Sequence, residues 1–237
     1  VPTTARITLD EALEQTRTGD IWLFRGHKLA DRAIRVGTNS PVNHVGMSVV
    51  IEDLPPLMWH AELGRSLEDR WSGTRQRGVQ LHDLRAAVGI WTGRYHQHAW
   101  LRQLEHRPLP GMEDALLRTI ARLDGTPFPS TARLASRWLL GRLPALPRVR
   151  HGADVPAGGP DEDLQGPDRA LETAYCAEVV AATYQAMGLL SGRREPQWYD
   201  PGRFWSGDDL ELLAGARLGG EIAVQVSPPV PADPPAA

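Results

Sequence analysis

Two residues far apart in the chain have the chemistry of a nucleophile and its base. Cys176 is the one cysteine of the sequence and stands in Thr173-Ala174-Tyr175-Cys176-Ala177-Glu178-Val179-Val180. His44 opens the run Asn43-His44-Val45-Gly46-Met47-Ser48-Val49-Val50. A thiol attacks as thiolate, and a free thiol titrates near ~8.5, so it needs an imidazole or a helix N-terminus beside it. A third group comes from Leu57-Met58-Trp59-His60-Ala61-Glu62-Leu63. In an extended strand Met58, His60 and Glu62 share one face, and Leu57, Trp59, Ala61 and Leu63 share the other. An antiparallel return of that strand past His44 brings His60 or Glu62 to its ring as an orienting group. Each residue also has an ordinary role: Cys176 as a small buried apolar side chain, His44 as a satisfied histidine at a strand entrance, His60 and Glu62 as solvent-facing polar residues. Their conjunction favours the chemical role.

The elements that must position these residues follow from local signals. Thr8 and Glu11 have capping-box spacing, which predicts a short helix through Gln15. Residues 19–26 form an apolar strand bracketed by glycines, and 28–36 carry helical spacing up to Gly37. His44 to Ile51 is a strand, 52–56 a loop, and 57–63 the returning strand. Residues 65–77 read as loop, 78–81 as a short strand, and 85–106 as holding two strands. Leu116, Leu117, Ile120 and Leu123 make a stripe that predicts a helix over 113–123, stopping at Gly125-Thr126-Pro127. A further helix is expected over 131–141. From Thr173, as a possible N-cap, the Cys176 helix runs to Gly188. An aromatic loop over 197–209 and a strand over 220–226 complete the domain.

The bulk numbers bound the class. The chain has 237 residues, 41% of them hydrophobic, enough for one domain with a full core. We read one domain over 1–227, with a flexible loop at 144–168 and a disordered Pro/Ala tail at 228–237. A net charge of −3 argues against nucleic acid or an anionic membrane as the main partner. One cysteine excludes an internal disulfide and any multi-cysteine zinc site. There is no long apolar run and no signal-peptide pattern at the start, so the chain is expected to be soluble, with the cytoplasm favoured.

Other combinations are weaker. His96 and His98 share a face if extended, but no third ligand stands at a familiar spacing, and no metal is expected. Asp161-Glu162-Asp163 lacks the alternation and central glycine of a calcium loop. No Gly-rich phosphate loop and no Gly-x-Ser-x-Gly elbow are present.

Taken in order, Gly19 to Gly26, Asn43-His44-Val45-Gly46-Met47, Trp59-His60-Ala61, Asp124-Gly125-Thr126-Pro127-Phe128 and Tyr175 to Val180 resemble the circularly permuted papain-like branch of the NlpC/P60 superfamily, the YiiX/YebB-like hydrolases. In unpermuted members the cysteine helix precedes the histidine strand, and here it follows. The resemblance implies an α+β papain-like fold with an antiparallel, barrel-like sheet packed on the cysteine helix. It implies Cys176 as nucleophile, His44 as general base, and His60 as the orienting residue, with Glu62 as its same-face substitute. Tyr175 and Phe128 would lie by the substrate and oxyanion site. Phe128 stands where the family commonly has Tyr, and Ala177 where it commonly has Ser. The implied activity is amide hydrolysis through an acyl-enzyme, without a cofactor, on cell-wall peptides, isopeptides or acyl-lipid substrates. The alternatives are lipid acyl transfer or thioester hydrolysis by the same pair, and a catalytically silent module that binds lipid or peptide.

Overall fold

The structure, a computed structural model, describes residues 5–26, 41–107, 109–127, 167–206 and 210–226. The helices expected over 28–36 and 131–141, Phe128, the loop over 144–166 and the C-terminal tail lie outside these residues.

The chain begins with β1 (Arg6–Thr8) and α1 (Leu9–Gln15). The predicted capping box is present: Thr8 Oγ1 accepts from the Glu11 amide at 3.2 Å, and the Glu11 carboxylate accepts from the Thr8 amide at 2.7 Å. Next come β2 (Ile21–Arg25), β3 (His44–Val49), β4 (Leu57–Glu62) and β5 (Gly78–Asp83). After α2 (Leu84–Gly89) and a π-helical turn (Ile90–Arg94) run β6 (His98–Arg102) and the short β7 (Leu104–Glu105). Then follow α3 (Met112–Leu123), α4 (Pro167–Ala186), two 3-10 turns, β8 (Arg217–Leu218) and β9 (Ile222–Gln225).

Seven strands form one sheet in the order β1-β9-β6-β2-β3-β4-β5, antiparallel except for the parallel edge pair β1 and β9. The fold is thus mixed α+β. β2, β3 and β4 are buried along their whole length or nearly so, with helical structure packed on both faces of the sheet. Strand alternation sends Ile21, Leu23, Val45, Met47, Val49, Trp59 and Ala61 to one face, where α4 packs on β3 and β4. Trp22, Phe24 and Met58 go to the other, under α1, α2 and the π-helical turn. Asp20 is fully buried and ties the start of β2 to β7 by accepting from the Leu104 amide at 2.7 Å and the Arg17 amide at 2.8 Å.

Three expectations are corrected. Residues 85–106 do contain two strands, but only from His98 onward. The apolar residues Val88, Ile90 and Trp91 belong to helical structure, which starts where the Asp83 carboxylate accepts from the Ala86 amide at 2.8 Å. His96 has a left-handed backbone, φ 53°, just outside β6, so it does not share a strand face with His98. The cysteine helix begins at Pro167 rather than Thr173, which takes in the last two residues of the expected loop. Proline is suited to a first helical position, because its fixed φ fits and its missing N–H would have no partner there.

No helix among the described residues is long and apolar enough to cross a membrane.

Candidate functional site

The polar residues of the sheet collect on the face opposite α4. His44 pairs across the strands with Phe24, so its ring lies on the Phe24 side, where it stacks on Trp91 with 3.8 Å between ring centroids. β4 places His60 on the same face, and β5 sets Gln80 directly opposite His60 and His82 opposite Met58. Period-two alternation therefore builds a row across three strands: Val79 and Leu81 turn to the apolar core while Gln80 and His82 turn to the histidines.

The row is hydrogen-bonded from end to end. His44 Nε2 lies 3.0 Å from His60 Nδ1, His60 Nε2 lies 2.9 Å from His82 Nδ1, and His82 Nε2 lies 3.0 Å from Gln80 Oε1. The three imidazoles and Gln80 are buried. Burial holds His44 down to about 3. It also holds His60 well below the ordinary histidine range, with the neighbouring His82 and His44 adding to the effect. His82 is lowered to about 4 by burial, with Asp69 acting in the opposite direction. All three rings are therefore neutral at neutral pH, because a buried imidazolium loses its hydration.

His44 is held on two sides, by the stack on Trp91 and by the bond to His60. Its Nδ1 is buried and has no hydrogen-bond partner among the described residues. An unsatisfied buried nitrogen costs about 1–3 kcal/mol, so its retention calls for a reason.

Glu62 lies behind His60, with Oε2 at 3.6 Å from His82 Nδ1 and 3.9 Å from His60 Nε2, and it also accepts from the Tyr95 hydroxyl at 3.4 Å. His60, Glu62 and His82 thus bring three metal-capable donor atoms within 4.8 Å of one another, although the sequence spacing gave no ground for expecting a metal. Tetrahedral zinc with ligands at about 2.0–2.1 Å needs donors about 3.4 Å apart. The two longer separations come close to that. The 2.9 Å His60–His82 contact is a hydrogen-bond length and would have to open first.

Cys176 is placed differently. It is completely buried in the cluster on the α4 side of the sheet, which also contains Tyr175, Val45, Met47 and Trp59. It stands well inside α4, which starts at Pro167, so it is beyond the first turn where the helix dipole acts on a thiol. The partnerless Nδ1 also means that the thiol does not hydrogen-bond to the His44 ring in this conformation. The structure therefore joins His44 to His60 and sets Glu62 behind them, while Cys176 and Tyr175 belong to the apolar cluster under α4.

Sequence reading missed His82, Trp91 and the role of Gln80. The signal for the first and third was present in Val79-Gln80-Leu81-His82, whose alternation matches that of β4. Trp91 had no such signal, because its position depends on a π-helical turn.

No family model and no curated protein matches the chain. Among solved structures, it is similar to metalloprotein yiiX from Escherichia coli O157:H7, with a TM-score of 0.42 and 20% sequence identity. The match covers 72% of this chain and 66% of that one, so the chain spans just under two thirds of that protein's length.

Proposed function

We propose that the protein is a cysteine hydrolase of amide bonds with a permuted papain-like arrangement, in which His44 is the base, His60 orients it and Cys176 is the nucleophile. The observation that carries the reading is the state of His44: a neutral imidazole clamped by Trp91 and by His60 at 3.0 Å, with its other nitrogen buried and without a partner among the described residues. That is the form of a base waiting for an acidic proton. In the reaction, Nδ1 takes the thiol proton as sulfur attacks the carbonyl. The resulting imidazolium gives the proton to the leaving amine, and the ring then activates water against the acyl-enzyme. Peptides, isopeptides or acyl lipids would be the substrates.

One observation favours a second reading, the silent binding module: Cys176 is wholly buried and stands well within its helix. Alkylation of Cys176 by iodoacetamide across pH 5–9, in the wild type and in His44→Ala, separates the two. The hydrolase reading expects alkylation at neutral pH to be markedly slower in His44→Ala than in the wild type, because the neutral imidazole takes the thiol proton as the sulfur attacks. A rate that follows a simple thiol titration in both proteins would sink it. So would a thiol that reacts only in denaturant.

A further inference from the structure

The four hydrogen-bonded groups on the polar face fix more than the orientation of His44. We infer that Gln80, acting through His82 and His60, determines which nitrogen of His44 carries its proton, and keeps Nδ1 as the lone pair. Gln80 and His82 are then positioning residues for the base, and the inference rests on the proposed role of His44.

The argument starts at Gln80, whose amide has one workable orientation. Its Nε2 faces the carbonyl oxygens of Glu62 at 3.4 Å and Gly78 at 3.5 Å. Reversing the amide would turn Oε1 onto two acceptors, so Oε1 is left facing His82 Nε2 at 3.0 Å. Since Oε1 only accepts, His82 Nε2 must donate. A neutral imidazole carries a single proton, so His82 Nδ1 is an acceptor and the proton in the 2.9 Å contact belongs to His60 Nε2. The Glu62 carboxylate lies 3.9 Å from that nitrogen and 3.6 Å from His82 Nδ1, so the direction of the row is set at Gln80 and not by this carboxylate. His60 Nδ1 then accepts, and His44 Nε2 donates across 3.0 Å. The proton of His44 is thereby spent on Nε2, and Nδ1 is left as the basic lone pair. Each ring has one donor and one acceptor, so the assignment passes along the row without a free choice.

The same chain can be reversed by a charge placed at its far end. In Gln80→Glu, a carboxylate beside His82 favours the imidazolium, by about 1–3 pH units for a close opposite charge. His82 then takes a proton from solvent and donates from both nitrogens. His60 must accept at Nε2 and carry its proton on Nδ1, and His44 must accept at Nε2 and carry its proton on Nδ1. One proton enters at His82, and the other two rings each exchange one. Zinc on His60 Nε2 and His82 Nδ1 would reverse His60 and His44 in the same sense.

The test is 15N NMR of the imidazoles in histidine-labelled, metal-free full-length protein at pH 6. The wild type is expected to show His44, His60 and His82 all neutral and protonated on Nε2. Gln80→Glu is expected to show His82 doubly protonated, His60 and His44 protonated on Nδ1, and Cys176 alkylation reduced to the His44→Ala rate. Protonation of His60 or His44 on Nδ1 in the wild type overturns the inference, whether or not the variant folds. An unchanged His44 in a Gln80→Glu protein whose His82 is doubly protonated also overturns it, as does wild-type protein that is purified with zinc bound to these rings. The expected tautomers together with His44-independent alkylation would uphold the row and sink the hydrolase reading. The reverse combination would do the opposite.

Discussion

Under α4, the sheet presents Val45, Met47, Val49, Trp59 and Ala61, and a side-chain hydrogen bond to the helix runs from Trp59 Nε1 to Thr183 Oγ1, at 3.0 Å. On the opposite face, the same strands present His44, His60 and, from β5, His82 and Gln80, joined by three hydrogen bonds of 2.9–3.0 Å. Both faces are equally dry. On the first, stability scales with apolar area removed from water and with filled volume, and no single direction matters. On the second, every polar atom needs a partner in a set direction, so geometry is specified more tightly than area alone would require. Among the described residues, His44 Nδ1 and the Nε1 of Trp91 stacked on it have no partner, which sets this end of the row apart from the three bonds that follow it.

The largest test of this contrast is Trp59→Ala. It empties a large volume under α4 while Thr183 Oγ1 keeps its bond to the Val179 carbonyl at 2.8 Å. A loss of about 3–5 kcal/mol is expected, read as a lower urea midpoint at unchanged slope. A loss below about 1 kcal/mol would show that the α4 face is not held by packing.

That contrast also explains what the sequence made legible. The two-face reading of β4 needed only period-two alternation, and the structure places Met58, His60 and Glu62 together opposite Trp59 and Ala61 as that period requires. The Thr8–Glu11 cap was legible because its whole mechanism lies within four residues. Three features were not legible. The start of α4 at Pro167 was hidden by a proline, which marks loops and first helical positions alike. Trp91 reaches His44 through a π-helical turn, which no simple periodicity announces. The burial of Cys176 in the cluster under α4 depends on packing between segments more than a hundred residues apart, and motif order carries no such information.

An intermediate effect is expected at Gly46, where the polar face leaves no room for a methyl group. A Cβ there would lie 2.9 Å from Met58 Cγ, 3.0 Å from Met58 Sδ and 3.4 Å from His60 Cβ. Gly46→Ala should lose about 1–3 kcal/mol by overpacking. The loss should fall by at least about half when the substitution is made in a Met58→Ala background, since contacting residues couple. Equal losses in both backgrounds would move the strain from Met58 to the backbone.

The smallest expected effect lies at the rim of the polar face, where Asp69 accepts from the Leu81 amide at 2.9 Å and stands beside Asp124 at the end of α3. Burial, and then the neighbouring Asp69 carboxylate, push Asp124 up to about 7. Its folded-state value is thus raised above the unfolded one, and the neutral acid is the form that suits the fold. Its contribution is complete at acid pH, declines as pH rises from about 4, and is lost by about 7. Partial exposure discounts the effect to the order of 1 kcal/mol. Asp124→Asn keeps the shape and removes the ionisation. It should raise the melting temperature at pH 8 and leave it nearly unchanged at pH 4, so that the wild type and the variant differ in slope between these limits. An equal shift at both pH values would mean that the carboxyl does not titrate against the fold, and that the rim, like the face under α4, is held by shape alone.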